Sequence, residues 1–359
     1  MSETSKTVAV IEGDDASPEV IQPAVELIDQ MNLGINWTYP VVGEAAKAET
    51  GKSFPDVSRA MIDEADTTLF GSSSGSSGAS LFYLRWGKQT FANVRPCLHL
   101  PGCSSPLAHP EGIDFVIVRE NLEDLYVGVE GPLADLTPLN LVGRTVRKPI
   151  HELGEGRYAI KVITRQGSER VIRFAFELAR TRNGQKRVTS TQKHNMLPGT
   201  DGYFLEIARE IASQYPDIDF ETFIVDDFAC RMIIQPQHFD VIVMPNLYGD
   251  ILSDGAAGLV GSLGLAASGC YGEDYAYFEP AHGTAPDIAG QGIINPTATL
   301  LSACMMLEYL GFEDAAARLQ GAVASVYAEG KHLTPDQNGT ASTLEFCAAT
   351  AQQLGIHMP

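Results

Sequence analysis

Two aspartates one helical turn apart are the residues of this chain whose spacing most directly suggests chemistry. Asp250 and Asp254 follow a run at residues 239–245 that is typical of a buried strand. Residues at positions i and i+4 of a helix share a face, and two like charges there repel by roughly 0.2–0.5 kcal/mol unless something offsets them. Oxygen ligands favour a hard divalent ion, Mg²⁺ or Mn²⁺. The pair therefore predicts a metal site, although the acidic start of a solvated helix would show the same pattern.

Three arginines form a second group of candidate functional residues. Arg85, Arg95 and Arg119 lie in a stretch that is otherwise poor in positive charge. The planar guanidinium group binds carboxylates through two hydrogen bonds, so the three together would suit a di- or tricarboxylic acid. Each arginine would equally well pair with a structural Asp or Glu, and the pattern alone leaves that alternative open.

Two further polar residues follow predicted strands, where α/β proteins place functional groups. Lys193 comes after the strand predicted over residues 187–190, and Asp226 ends the one over residues 220–225. A lysine beside a bound cation loses its proton more readily and can act as a general base. Asp226 would bring a third carboxylate to the metal. An exposed surface lysine is the plainer alternative.

A segment at residues 278–290, FEPAHGTAPDIAG, has the glycines and prolines of a loop together with an imidazole, a hydroxyl and an acid. Such a loop can hold an adenosine and its phosphates through backbone N–H groups. No GxGxxG motif follows the first predicted strand, so a Rossmann site is not supported. A nucleotide would have to bind by another device.

Alternating strands and helices must position these groups. Helix patterns cover residues 18–31, 58–65, 168–179, 202–213, 296–309 and 313–329. Strand patterns cover residues 7–12, 36–41, 67–70, 115–118, 157–164, 187–190, 220–225 and 239–245. This order predicts an α/β fold with a mainly parallel large sheet. Two segments differ: SSSGSSG at residues 72–78 predicts a flexible loop, and residues 131–155 suggest a protruding arm.

Composition narrows the possible partners. The 359 residues carry 45 acidic and 25 basic side chains, a net charge of −20, which argues against nucleic acid or an anionic membrane as the main partner. A small anionic substrate held by local arginines remains compatible with that charge. The N-terminal residues lack the basic and apolar regions of a signal peptide, so a cytoplasmic location is expected. The six cysteines include no CxxC pair, which predicts free thiols.

Taken together, these motifs closely resemble the β-decarboxylating dehydrogenases, the family of isocitrate, 3-isopropylmalate, homoisocitrate and tartrate/D-malate dehydrogenases. The resemblance runs nearly end to end and is strongest over residues 246–268 and 278–311. It implies the isocitrate/isopropylmalate dehydrogenase-like fold with two domains. Residues 1–98 and 255–359 would form a large cofactor-side domain. Residues 99–254 would form a smaller one with the dimer interface and a clasp arm near residues 131–155.

The resemblance implies oxidation of a malate C2 hydroxyl to a ketone, loss of the β-carboxylate and protonation of the resulting enol. In this family a metal polarises the hydroxyl and then stabilises the enolate. In this chain, Arg85, Arg95 and Arg119 would hold the substrate carboxylates. The metal ligands would be Asp250, Asp254 and, from the partner subunit, Asp226.

The same resemblance gives the proton-transfer residues. Lys193, also from the partner subunit in this family, would take the hydroxyl proton, and Tyr126 would protonate the enol carbon. An active site shared in this way makes the minimal unit a homodimer.

The resemblance also predicts the cofactor. Family members that use NAD have Asp at the position of Asp287, where a carboxylate bonds to the adenosine ribose and repels a 2′-phosphate, whereas NADP users have Lys-Tyr there. Asp287 followed by Ile288 therefore predicts NAD. The other residues expected to line the cofactor site are His282, Gly283, Thr284, Ala285, Asn295 and, near the nicotinamide, Asn195.

Signals for the substituent at C3 of the malate conflict. Isocitrate enzymes usually have Ser and Asn where this chain has Ala79 and Leu81, and losing both removes the partners of the extra carboxylate. Leu81 would cover an alkyl group, as in isopropylmalate enzymes. Residues 82–85 and 194–198 look more like homoisocitrate enzymes, and residues 118–126 are closer to the isocitrate and homoisocitrate branch. An isocitrate- or homoisocitrate-like substrate is favoured, with 3-isopropylmalate or an unusual 3-substituted malate as alternatives.

One alternative belongs to a different class of protein. A regulatory subunit would keep the fold and bind ligands without turnover, but such relatives normally lose catalytic positions that this chain retains. A phosphotransferase would need a phosphate-binding loop such as GxxxxGK[ST], and the sequence has none.

Overall fold

The computed structural model, which describes residues 5–182 and 184–358, contains one large sheet and one small sheet of two strands. The strands are β1 (Thr7–Ile11), β2 (Asn36–Thr38), β3 (Thr67–Phe70), β4 (Ala92–Leu98), β5 (Asp114–Glu120), β6 (Glu130–Pro132), β7 (Arg157–Ala159), β8 (Arg187–Gln192), β9 (Asp219–Ile224), β10 (Val241–Met244), β11 (Ala267–Tyr271) and β12 (Ala276–Pro280).

Ten of these strands pair in the order β2-β1-β3-β12-β11-β4-β5-β10-β8-β9. Most neighbours are parallel, and only the pairs that involve β11 or join β4 to β5 are antiparallel. Strand β10 is buried along its whole length, as expected for a parallel strand that is covered on both faces. The sheet confirms the predicted α/β fold with a mainly parallel large sheet.

Helices cover both faces of this sheet. They are α1 (Pro18–Asp29), α2 (Gly43–Thr50), α3 (Asp56–Glu64), α4 (Gly78–Phe82), α5 (Arg165–Thr181), α6 (Asp201–Ala212), α7 (Val225–Ile234), α8 (Asn246–Val260), α9 (Thr297–Tyr309), α10 (Glu313–Glu329) and α11 (Thr343–Leu354). A π-helical turn, Tyr83–Gly87, follows α4 directly. Among the described residues, no helix is both long and apolar enough to cross a membrane.

One local prediction was wrong, and one segment has contacts that its composition does not suggest. The strand predicted over residues 157–164 is only the three-residue β7, which pairs with β6 outside the main sheet, because helix α5 begins at Arg165 with Thr164 as its N-cap. The loop at residues 72–78 has more contacts than its composition suggests. The carboxylate of Asp14 accepts hydrogen bonds from the hydroxyls of Ser73, Ser76 and Ser77 and from the backbone of Ser74 and Ser77, and the flexibility of the loop stays a prediction.

The arm predicted near residues 131–155 has little regular structure. Strands β6 and β7 form its base, and 3₁₀ turns at Leu133–Leu139 and Ile150–Leu153 form most of the rest. Large apolar side chains on it are exposed: Leu139, Leu141, Val142, Val146 and Leu153. A cluster of exposed apolar side chains on one segment is typical of a surface that contacts another molecule.

Candidate active site

The candidate site lies where several strands of the parallel half of the sheet end. Arg119 is the penultimate residue of β5 and pairs in register with Met244, the last residue of β10. Pro245 then caps helix α8, so the polar start of α8 lies beside Arg119. Strand β8 runs parallel to β10 and ends just before Lys193. Carboxyl ends of parallel strands are the usual location of functional residues in such sheets.

Asp250 on α8 is the centre of the polar contacts at this edge. Its carboxylate forms an ion pair with Arg119 and accepts a hydrogen bond from the hydroxyl of Tyr126. The guanidinium groups of Arg85 and Arg119 lie 5.4 and 5.2 Å from the centroid of the Tyr126 ring. The structure thus brings together two predicted carboxylate receptors, the predicted acid and a predicted metal ligand.

Arg95 joins the group from the antiparallel strand β4. Its Nη1 donates to Ser253 Oγ at 2.7 Å and lies 3.4 Å from Asp254 Oδ1. Its Nη2 lies 3.7 Å from Asp250 Oδ1. Arg95 therefore bridges the two aspartates that the i, i+4 spacing placed on one helix face.

Asn246, the first residue of α8, orients two of the arginines, and the sequence analysis did not identify it. Its Oδ1 accepts from Arg119 Nε at 2.9 Å and from Arg85 Nη2 at 3.2 Å. Gly249 permits the close approach of α8 to Arg119, because an added Cβ would lie 2.6 Å from Arg119 Cβ. A polar residue at the start of a helix after a buried strand was the available signal for Asn246.

Burial and the cluster of positive charges change the pKa values of groups in the site. Burial, together with Arg95 and Arg85, lowers the pKa of Arg119 to about 10. Burial also raises the pKa of Glu279, at the end of β12, to about 7, although Arg95 and Arg85 oppose that effect. A cluster of cationic groups at low exposure is a receptor for an anionic ligand with more than one carboxylate.

The two aspartates of α8 fit a hard divalent ion by their chemistry. Burial alone would raise the pKa of Asp250, but Arg119 and Tyr126 outweigh it and hold the pKa below its ordinary value. Burial raises the pKa of Asp254, with Arg95 opposing and Asp250 adding to that effect. Two carboxylates one turn apart supply the oxygen donors that Mg²⁺ and Mn²⁺ prefer.

Asp226 does not complete that donor set within one chain. It is the second residue of α7, and its carboxylate is paired with the ammonium of Lys193. In residues 5–182 and 184–358, no three Asp, Glu, His or Cys side chains are grouped closely enough to hold a metal. Lys193 and Asp226 thus form a pair of their own, 29% and 68% exposed, rather than joining Asp250.

A cavity of about 450 Å³ lies beside the loop that was predicted to bind a nucleotide. His282, Gly283, Ala285, Ile288 and Asn295 are among its lining residues. The Nε2 atom of His282 is buried and has no hydrogen-bond partner, and burial lowers the pKa of this imidazole. An orphaned polar atom at a cavity wall fits a polar ligand that bonds to it.

The remaining cofactor candidates lie around or beyond this cavity. Thr284 is buried, and its carbonyl accepts from Ala16 N–H at 3.1 Å. Asp287 is exposed in the 3₁₀ turn Pro286–Ile288 and does not itself line the cavity, although its neighbour Ile288 does. Asn195 is exposed in the segment after Lys193 and does not line the cavity. Asp336 lines the cavity and was not identified from sequence, because it lies far along the chain in another turn.

Leu81 and Phe82 face different surroundings just before Arg85. Leu81 is half-buried and packs against the hydrophobic cluster that contains Ile62 and Phe70. Phe82 is 63% exposed and stacks on Trp86, with ring centroids 5.0 Å apart. The exposed apolar surface of this helix is therefore provided by Phe82.

The profile of the isocitrate/isopropylmalate dehydrogenase family matches residues 7–352, and the chain belongs to that family. A 3-isopropylmalate dehydrogenase of Archaeoglobus fulgidus is 40% identical over 351 residues, which cover 97% of this chain and 99% of that protein. An isocitrate/homoisocitrate dehydrogenase of Thermus thermophilus is also 40% identical, over 97% of this chain and 98% of its own length.

A solved structure agrees with these relatives. The crystal structure of isocitrate dehydrogenase from Methylococcus capsulatus matches with a TM-score of 0.83 at 38% identity, over 97% of this chain and 99% of that one. Relatives named for different substrates are equally similar to this chain. Similarity therefore defines the class, oxidative decarboxylating dehydrogenases of hydroxy-carboxylates, and leaves the substrate open.

Proposed function

We propose that this protein catalyses the NAD-dependent and divalent-metal-dependent oxidative decarboxylation of a 3-substituted (2R)-malate. The observation that carries the proposal is the convergence of Arg85, Arg95 and Arg119 on the helix face that bears Asp250 and Asp254. The three guanidinium groups suit the carboxylates of a substrate, and the two neighbouring aspartates suit a metal ion bound next to that substrate.

The chain's own residues would perform the binding and the proton transfers. The arginines would hold the substrate carboxylates and fix the C2 hydroxyl toward α8. Lys193 of the partner subunit would accept the hydroxyl proton, and Tyr126 would deliver a proton to the enol carbon after carbon dioxide leaves. The contact between Tyr126 and Asp250 supports this role, because it holds the phenol at the place where the substrate would lie.

Two groups would supply the chemistry that side chains cannot. Asp250 and Asp254, with Asp226 of the partner subunit, would hold Mg²⁺ or Mn²⁺, whose charge polarises a hydroxyl and stabilises an enolate when the ion is bound. The residues that line the cavity beside His282 would hold NAD, which would supply the hydride acceptor for the oxidation at C2. The exposed carboxylate of Asp287 supports NAD rather than NADP, because it would repel a 2′-phosphate.

A homodimer with shared sites is part of the proposal. Ile233 and Ile234 on α7 are 54% and 74% exposed, and Ile251 on α8 is 61% exposed. Ile251 is adjacent to Asp250 in α8, and Ile233 and Ile234 end the helix that begins beside Asp226. Covering these side chains with a second copy would bring the partner's Asp226 and the partner's Lys193 toward α8. The arm at residues 131–155 would be the clasp of the same interface.

A division into two domains is also part of the proposal. Residues 1–98 and 255–359 would form the cofactor-side domain, and residues 99–254 the smaller domain with the dimer interface. Strands β4 and β5, which are antiparallel neighbours, would meet at that boundary. The candidate site would then lie between the two domains, where ligand sites commonly occur.

An isocitrate- or homoisocitrate-like malate is the favoured substrate, and an apolar C3 substituent is the second candidate. The observation that favours the second is the exposed aromatic surface of Phe82 stacked on Trp86. A non-catalytic regulatory role is disfavoured because the arginines, Tyr126 and Asp250 form one contact network.

The discriminating experiment is an activity panel. The purified protein would be assayed with Mn²⁺ and NAD on isocitrate, homoisocitrate, 3-isopropylmalate, D-malate and tartrate, and then with NADP in place of NAD. One malate should exceed the others in kcat/KM by at least about tenfold, which corresponds to about 1.4 kcal/mol of transition-state binding. No turnover of any substrate, with intact NAD binding, would favour either a 3-substituted malate outside the panel or the regulatory alternative.

A further inference from the structure

A buried ammonium group, that of Lys161, bridges two buried carboxylates behind the candidate active site. Its Nζ lies 3.2 Å from Oδ1 of Asp124 and 2.6 Å from Oδ1 of Asp201. The Lys161 side chain is 13% exposed, and both aspartate side chains are fully buried. The ring of Tyr248 lies against the ammonium, 4.4 Å from its centroid. Nothing in the proposed function uses this lysine.

Asp124 fixes the backbone on the Tyr126 side. Its Oδ1 accepts from the N–H of Leu125 at 2.9 Å, and its Oδ2 accepts from the N–H of Leu247 at 3.0 Å. Leu125 directly precedes Tyr126, and Leu247 is the second residue of α8, the helix that carries Asp250. One carboxylate therefore sets the position of the candidate acid relative to the candidate metal helix.

Asp201 fixes the backbone on the Lys193 side. Its Oδ2 accepts from the N–H of Lys193 at 2.7 Å and from the hydroxyl of Tyr248 at 2.8 Å. Asp201 is the first residue of α6, so the contact also joins Lys193 to a helix start. The backbone segments of the candidate acid and the candidate base are thus linked through a single ammonium group.

The local backbone shows that these contacts hold a strained conformation. Asp124 has φ of 70°, a conformation that L residues rarely adopt. Its backbone N–H donates to the carbonyl of Val162 at 2.9 Å, and the N–H of Val162 donates back at 3.2 Å. Such a conformation persists only where the surroundings hold it, and the neighbours of Lys161 provide that support.

We infer that Lys161 is a positioning residue that sets the geometry of Tyr126 and Lys193 through Asp124 and Asp201. Without the ammonium, two buried carboxylates would repel each other and each would release the backbone it holds. The inference rests on the proposed function, because it gives Lys161 a purpose only if Tyr126 and Lys193 transfer protons. If Lys193 serves the partner's site, one lysine supports residues of both active sites of the dimer.

The test compares Lys161→Met with a matched control, Arg182→Met. Arg182 is also 13% exposed and its Nε lies 3.2 Å from a buried carboxylate, that of Asp240. Asp240 precedes β10, whereas the candidate site lies after β10, so the control breaks a comparable ion pair at the opposite edge of the sheet. Both dimers would be assayed for kcat and KM per folded molecule and for amide hydrogen exchange.

The expected result separates positioning from general stability. Lys161→Met should lose about 100-fold in kcat with little change in KM, because small misplacements of reacting groups carry losses of that size. Its amides at Leu125, Lys193 and Leu247 should exchange faster together. Arg182→Met should keep the wild-type kcat and the protection of those three amides.

Two results would overturn the inference: a Lys161→Met enzyme with wild-type kcat per folded molecule, or a loss no larger than that of Arg182→Met. If Lys161→Met does not fold, Lys161→Gln replaces the cation by a neutral amide that can still donate a hydrogen bond and should lose at least about tenfold in kcat; wild-type kcat in that variant would overturn the inference equally. Wild-type inactivity on every malate would contradict the proposed function instead, and the exchange of the three amides would then decide the inference alone.

Discussion

The hydroxyl of Tyr126 donates a hydrogen bond to Asp250, so the candidate proton donor contacts the helix that bears the candidate metal ligands. These residues are more than a hundred positions apart in the chain, and the sheet brings them together because β5 and β10 are parallel neighbours. The contact makes the acid role of Tyr126 directly testable.

We expect Tyr126→Phe to slow protonation of the enol more than hydride transfer, by about 10²- to 10⁴-fold, because general acids contribute that range. The two steps can be separated by following NADH in a single turnover and the release of the final 2-oxo acid over time. Tyr83→Phe is the matched control, because its hydroxyl bonds to Asp63 outside the candidate site. An equal loss in both steps would contradict the acid role.

Mixing two inactive variants tests the shared active site. Lys193→Met and Asp250→Asn should each abolish turnover as pure dimers. After unfolding and refolding together, hybrid dimers would contain one intact site, and about a quarter of the wild-type activity should return if subunits pair at random. If each chain used its own Lys193 with its own Asp250, the mixture would stay inactive, and that result would rule out the exchange of residues between subunits.

Removing the charge of Asp287 should weaken the discrimination between NAD and NADP. Asp287→Asn keeps the size of the side chain but no longer repels a 2′-phosphate, so the ratio of kcat/KM for NAD over NADP should fall by about tenfold, or about 1.4 kcal/mol. Asp314→Asn, an exposed aspartate at the start of α10, is the control and should leave the ratio unchanged. An unchanged ratio in Asp287→Asn would show that another residue selects the cofactor.

Glu279 should make the stability of the unliganded protein depend on pH. Burial raises its pKa from 4.5 to about 7 in the folded state, so the folded protein binds the proton more tightly than the unfolded chain does. The stabilisation is therefore complete below pH 4.5 and is lost as the pH rises toward 7. The total is up to about 3 kcal/mol, from about 1.4 kcal/mol per pKa unit.

The variant Glu279→Gln isolates this effect, since it mimics the protonated carboxyl at every pH. Urea unfolding of both proteins at pH 5 and pH 8 should show the variant gaining stability relative to the wild type at the higher pH. A difference that stays constant between the two pH values would mean that Glu279 does not titrate in this range.

Local patterns were sufficient for much of the fold and for several residues that meet at the candidate site. Asp250 and Asp254 share a helix face because their spacing is that of one turn, and α8 does begin directly after a buried strand. The mainly parallel sheet likewise follows from the alternation of strand and helix patterns. Strands β4, β11 and β12 were missed. The last two lie between glycine-rich turns and loop motifs that hide their periodicity.

Contacts that depend on tertiary packing were beyond prediction from sequence. No sequence pattern around Asn246 or Lys161 predicts which residues they contact, because their partners Arg119 and Asp124 lie far away in the chain. The serines of residues 72–78 have the composition of a flexible linker, yet Asp14 organises them, which only the folded arrangement reveals. The composition of a segment therefore does not predict the hydrogen bonds that it forms with distant residues in the folded protein.

The most direct test of the central claim is the stoichiometry of one reaction. With Mn²⁺, NAD and the malate preferred in the panel, the wild-type protein should form NADH, followed at 340 nm, and release carbon dioxide in equal amounts. Chelation of the metal, or the Lys193→Met substitution, should abolish both products. NADH without carbon dioxide, or turnover that persists without a divalent ion, would contradict the account of this protein as a metal-dependent oxidative decarboxylase.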